Sequence, residues 1–160
     1  MNIRYINLNE IDKLWAFEKE NRIEDLKREG GSLKELLLWE ITNNFKKPWA
    51  DKIKSDFIDK KIFILIIEDN KKIIGYSIFR INSYILYHVP NIGFIDELFI
   101  SKNKRKKGFG KKLLEKTLFE LKTAGVRKII ISVFVSNVPA NKLYSEYKFK
   151  DFKIDKVLNL

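Results

Sequence analysis

The feature that most restricts how this chain folds is an apolar strand that runs through a basic, glycine-containing turn into an amphipathic helix. Phe94 to Ile100 has strand composition, Arg105-Lys106-Lys107-Gly108-Phe109-Gly110 makes the turn, and the spacing predicts a helix from about Gly108 to Ala124. In that helix Phe109, Leu113, Leu114, Thr117, Leu118 and Leu121 recur every three or four residues, whereas Lys111, Lys112, Lys116, Glu120 and Lys122 fall elsewhere. Gly125, just past the periodic run, suits a left-handed C-terminal cap. At the other end Gly108 and Gly110 stand where capping ordinarily selects Ser, Asp or Asn. Each glycine there lowers helix propensity by up to about 1 kcal/mol. The first N–H groups of a helix lack partners inside it, so clearing side-chain bulk from them leaves room for a phosphate-sized anion.

Two common phosphate loops are absent. A P-loop needs G-x-x-x-x-G-K-[S/T], and no segment supplies it. A dinucleotide fingerprint needs a third glycine, but Gly108-Phe109-Gly110-Lys111-Lys112 continues with Leu113, and the segment lies late in the chain.

The turn does match R/Q-x-x-G-x-G/A through Arg105, Gly108 and Gly110. A second block, Val135 to Phe149, matches N-x-x-A-x-x-L-Y-x-x-x-G-F through Asn137, Ala140, Leu143, Tyr144 and Phe149. With these two blocks, one helix and one strand apart, the chain resembles the GNAT-type N-acetyltransferase superfamily. It departs from the pattern at Lys148, where the family usually has glycine. If the backbone there is left-handed, lysine costs on the order of 1 kcal/mol.

Size and composition bound the rest. One hundred and sixty residues make a single domain over 1–160, long enough to bury about 70% of its unfolded surface without staples. The absence of cysteine removes disulfides and thiolate chemistry. His88, the single histidine, sits before Pro90 in an expected loop, and no metal is expected. The N-terminal residues Met1 to Tyr5 do not read as a signal peptide, and no apolar run approaches membrane-spanning length, so a soluble cytoplasmic protein is expected. The net charge of +11 comes from lysines spread along the whole chain. A denser cluster, Lys102, Lys104, Arg105, Lys106, Lys107, Lys111 and Lys112, suits the phosphates of coenzyme A or a nucleic acid. Nucleic acid is the weaker reading, since no aromatic stacking set or recognition-helix pattern accompanies it.

Element by element, Ile3 to Asn7 reads as a strand, and a helix carrying Ile11, Leu14, Trp15 and Phe17 follows. The charged stretch Glu18 to Gly31 reads as a connection. Ser32 and Glu35 form a capping box for a second helix that ends before Pro48, with a helical turn or two in 51–60. Residues 62–67 and 73–79 flank Glu68 to Lys72 as a hairpin apolar enough to be buried on both faces. Strand 94–100, helix 108–124, strand 129–135, helix 139–147 and a final strand near 152–158 complete a mixed α/β (α+β) sheet with helices on both sides. The resemblance further implies a largely antiparallel sheet splayed between its fourth and fifth strands.

The chemistry expected is acetyl transfer from acetyl-CoA to a primary amine. The main chain of Arg105, Lys106, Lys107, Gly108, Phe109, Gly110 and Lys111 would cradle the pyrophosphate. The resemblance implies that the edge at Leu98, Phe99 and Ile100 pairs with the pantetheine arm, that Asn137 contacts the cofactor, and that Tyr144 protonates the departing thiolate. An alkyl amine with a pKa near 10 must lose a proton before it attacks, and a carboxylate serves that need. Asp96 and Glu97, adjacent acids inside an apolar strand, are the candidates. They should point to opposite sheet faces unless a bulge intervenes. In relatives with such a pair the first member resembles the base, which maps to Asp96, while Glu97 would hold a cationic acceptor. The acceptor is a small cationic molecule or a protein or peptide, shaped by the first two helices and the loop near 83–91. Aromatic residues Trp15, Phe17, Trp39, Trp49, Tyr84 and Tyr87 are either its lining or core. Two rival readings are a non-catalytic acyl-CoA-binding sensor and a nucleic-acid-binding module; homodimerisation is left open.

Overall fold

Residues 63–67 are apolar at every position, so a strand built from them needs cover on both faces. The computed structural model, which describes residues 1–26, 46–84 and 89–153, provides it. Five strands, β1 (Asn2–Tyr5), β2 (Phe63–Asp69), β3 (Lys72–Tyr84), β4 (Val89–Ile100) and β5 (Lys128–Ile131), form one sheet in the order β1-β2-β3-β4-β5. Every pairing is antiparallel except β4 with β5. Helices α1 (Ile11–Leu26) and α2 (Lys46–Ile58) lie on one face, and α3 (Phe109–Thr123) and α4 (Val138–Glu146) serve the other.

Two apolar clusters result, one on each side of the sheet. On the first face Ile64, Ile66, Tyr76 and Ile78 pack with Ile11 and Leu14 of α1, and Trp49, Ile53 and Phe57 of α2 pack against them. On the second face Leu65, Ile67, Phe79 and Ile95 pack with Leu113, Leu114 and Leu121 of α3 and Tyr144 of α4. Alternation along β2 assigns its residues to one cluster or the other in turn. Gly93 lets α3 approach the sheet closely: a Cβ there would lie 2.9 Å from Leu121 Cδ2 and 3.1 Å from Val126 Cγ1.

Several boundaries differ from those read in the sequence. Helix α1 continues to Leu26, so residues 18–26 are helical rather than a connection. A helix runs through Pro48, because Pro48 falls in the first turn of α2, where its missing N–H has no helical partner to lose. Strand β5 stops at Ile131 instead of continuing to Val135. Phe152 and Lys153 are not in a strand, and the remainder of the expected final strand lies outside the described residues. The capping box at Ser32 and Glu35, the helix expected after it, Tyr87 and His88 also lie outside them.

The sheet splays between β4 and β5. Their parallel register covers only Ile92 to Ile95 opposite Lys128 to Ile131, and beyond it, among the described residues, Glu97 to Ile100 pair on the β3 side alone. The ladder stops next to a bulge: Phe79 opposes Ile95 and Ile78 opposes Glu97, which leaves Asp96 as the extra residue.

Candidate active site

The bulge decides where the two acids of β4 go. Arg80 Nε donates to Asp96 Oδ2 at 2.9 Å, and the Arg80 guanidinium lies 4.3 Å from the centre of the Phe94 ring. Arg80 follows Tyr76 and Ile78 at two-residue spacing, on the face covered by α1 and α2. Glu97 also reaches this face, where its Oε2 lies 3.0 Å from the Tyr76 hydroxyl. The extra residue thus cancels the alternation expected of neighbours, and both carboxylates share one side of the sheet. Burial pushes the Asp96 carboxyl up from its ordinary value, and the Arg80 ion pair partly offsets that.

A third acid joins them. Glu18 of α1, only 2% exposed, is hydrogen-bonded through its carboxyl to the same Tyr76 hydroxyl. Phe17, Tyr76 and Phe99 pack beside it, with Phe17 edge-on to the other two rings. Glu18, Tyr76 and Arg80 are not among the residues that the sequence singles out. For Glu18 a signal exists, since it stands seven residues after Ile11 and so on the helix's apolar side.

The turn after β4 lies at the open end of the splay. Ser101 closes the strand by donating its N–H to Ile74 O, and a short 3-10 turn, Lys102–Lys104, follows. Arg105 Nε donates to Ile100 O at 2.7 Å, tying the loop to the strand end. Lys106 and Gly108 both adopt left-handed backbone, with φ of 59° and 78°. Helix α3 has no side-chain cap; Lys112 N–H is the first to find a partner, the Gly108 carbonyl. No described residue accepts a hydrogen bond from the main-chain N–H groups of Lys106, Lys107, Gly108, Phe109, Gly110 and Lys111. Helix α4, by contrast, is capped: Asn137 Oδ1 accepts from Ala140 N–H at 3.3 Å. Of the basic cluster, Lys104 is held by Asp69 at 2.8 Å and Lys111 sits 6.0 Å from the Tyr147 ring centre, while Lys106, Lys107 and Lys112 are exposed.

Leu98, Phe99 and Ile100 form the strand segment beside this loop. Leu98 and Ile100 face the α3–α4 cluster, and Phe99 faces the opposite one. Tyr144, a residue 7% exposed, packs in the α3–α4 cluster with Phe149. Burial pushes its phenol up to about 12, so it is protonated at neutral pH and able to donate. Its hydroxyl has no hydrogen-bond partner among the described residues.

The two sequence blocks therefore flank the mouth of a splayed sheet, with an uncapped helix start on one side and a buried tyrosine on the other. The sequence profile of the Acetyltransferase (GNAT) family matches residues 31–149. The chain belongs to the GNAT acetyltransferase family. GNAT enzymes transfer acetyl groups from acetyl-CoA. No curated protein matches the chain. Among solved structures, it is similar to a predicted acetyltransferase with acetyl-CoA from Clostridium acetobutylicum, at 18% identity over 99% of this chain and 95% of that one, with a TM-score of 0.74. A ribosomal-protein-alanine N-acetyltransferase from Brucella melitensis is 13% identical over 100% of both chains, with a TM-score of 0.68. An aminoglycoside acetyltransferase from an uncultured soil metagenomic sample is 16% identical over 99% and 95%, with a TM-score of 0.70. At these identities the likeness is one of GNAT fold. Among the described residues no group of His, Asp and Glu is arranged to hold a metal ion, and no helix is long and apolar enough to cross a membrane.

Proposed function

We propose that this GNAT protein transfers the acetyl group of acetyl-CoA to the primary amine of a small cationic molecule or of a protein or peptide, by direct attack. The observation that carries the reading is the run of unpartnered main-chain N–H groups from Lys106 to Lys111 at an uncapped helix start. Such groups bind a diphosphate by hydrogen bonds and helix dipole together. The strand edge at Leu98 to Ile100, left without a β5 partner, takes the extended arm of the coenzyme as an added strand. Asn137 contributes a contact from the start of α4.

In this reading Asp96 takes a proton from the acceptor ammonium, and Glu97 holds the cationic acceptor. Arg80 keeps Asp96 ionised and so able to accept, while burial makes it more basic than an exposed aspartate. The neutral amine nitrogen then bonds to the thioester carbonyl carbon, the carbon–sulfur bond breaks and Tyr144 protonates the thiolate; the second proton that the nitrogen sheds on becoming an amide returns through solvent to the Tyr144 phenolate. The acceptors named for two structural neighbours, ribosomal-protein alanine and an aminoglycoside, span the proposed range.

Isothermal titration with acetyl-CoA tests the binding half; no heat at millimolar ligand rules the proposal out. A thiol-release screen over polyamines, amino acids, aminoglycosides and short peptides tests the transfer half. Tyr144→Phe is expected to lower turnover roughly tenfold or more with little change in acetyl-CoA affinity; unchanged turnover removes Tyr144 from the mechanism. Binding without thiol release for any amine points instead to an acyl-CoA sensor.

A further inference from the structure

Arg80 stands beside the proposed base with most of its donors unspent. A guanidinium carries five N–H donors in a rigid plane and accepts nothing. Here Nε alone meets Asp96, 3.1 Å from Oδ1 and 2.9 Å from Oδ2. The Phe94 ring, its centre 4.3 Å from Arg80 Cζ, holds the plane from a second direction. Nη1 and Nη2 donate to no described residue. The Arg80 and Asp96 side chains are 35% and 36% exposed, so both are open to a molecule arriving from solvent.

A carboxylate has lone-pair sites beyond those that one N–H occupies. Asp96 can therefore take the ammonium of an acceptor while Arg80 stays bound to it. The neighbouring atoms of that acceptor then fall beside the free end of the guanidinium. A planar fork already fixed in place matches a carbonyl or carboxylate oxygen and repels a second ammonium. In an α-amino acid the carbonyl carbon is two bonds from the nitrogen. In a polyamine the next polar group is another cation, and around a lysine ε-amine there is no oxygen at all.

We propose that Arg80 makes the site selective for an α-amine that carries its own carbonyl, in an amino acid or the N-terminal residue of a peptide, with Nη1 and Nη2 donating to that oxygen. The inference deepens the proposed function and rests on the reading that Asp96 takes the acceptor's proton.

Thiol release from acetyl-CoA with small matched acceptors tests it. Wild-type protein should use alanine amide with a kcat/KM about tenfold or more above that for isopropylamine, putrescine or the ε-amine of Nα-acetyl-lysine amide. The amine of alanine amide is the weaker base and is more often neutral, but that advantage is common to every variant. Arg80→Met should thus lower the ratio of alanine amide to isopropylamine about tenfold or more, whatever it does to the two rates together. Arg80→Gln should do the same, and it decides if Arg80→Met does not fold. Free alanine against dialanine separates an amino acid from a peptide; a lead for either supports the proposal, since the carbonyl is shared. A ratio unchanged in a folded Arg80 variant, or a wild-type lead for any of the three amines without a carbonyl, overturns the role of Arg80 and leaves acetyl transfer standing. Full turnover in Asp96→Asn, or no thiol release with any of these amines, overturns instead the reading on which the inference rests.

Discussion

Lys148 is the residue at which sequence and backbone disagree most openly. It takes φ of 62° just after α4, where its N–H donates to Ser145 O at 2.9 Å and the N–H of Phe149 donates to Tyr144 O at 3.1 Å. Those two bonds end the helix that carries Tyr144, and they require the left-handed turn. Lysine in that conformation costs about 1 kcal/mol relative to glycine. Lys148→Gly should therefore stabilise the protein by about 1 kcal/mol, seen as a higher urea midpoint at unchanged slope. An unchanged or lower midpoint would mean that the long side chain supplies contacts that outweigh the strain. This position was legible in the sequence because a lysine interrupts a pattern that otherwise holds from Asn137 to Phe149. Tyr76 was not. Alternation predicts that it is buried, but no spacing reveals that its hydroxyl meets acids 58 and 21 residues away.

Helix α3 shows how two glycines in one turn serve different needs. Gly108 sits at φ of 78°, and a Cβ there would meet nothing within 4 Å, so its constraint is conformational rather than steric. Gly110 has helical backbone, and a Cβ there would make ordinary contacts, 3.7 Å to Ile100 Cγ1 and 3.9 Å to Leu143 Cδ2. Gly108→Ala should destabilise the protein by about 1 kcal/mol, whereas Gly110→Ala should stabilise it by up to about 1 kcal/mol through helix propensity. Opposite shifts in thermal unfolding check the pair; equal losses would show that the fold itself demands both glycines. The periodicity of α3 lay in plain view, and its buried residues Leu113, Leu114, Thr117 and Leu121 all belong to the predicted stripe. The end of β5 did not. Residues 129–135 read as strand throughout, yet pairing stops at Ile131, where β4 kinks at Asp96. A bulge belongs to a pair of strands, so neither sequence segment announces it alone.

At the scale of the whole molecule the sheet is a partition. The cluster around Leu14 and the cluster around Leu114 share no buried member, and the strands between them supply alternate residues to each. Truncating either leucine to alanine should cost about 2–5 kcal/mol. Because the sites lie on opposite faces without common partners among the described residues, the double variant Leu14→Ala with Leu114→Ala should show the sum of the two losses to within about 0.5 kcal/mol. Urea unfolding of the four proteins measures this, and a larger discrepancy would mean that strain crosses the sheet. The general architecture was legible from the two-sided hairpin strands and the two family blocks. The placement of three acids on one face was not, because it depends on register. Under the proposed function the partition also has a consequence for descent: one side of the slab is free to be rebuilt for a new amine while the coenzyme grip proposed for the far side keeps its shape.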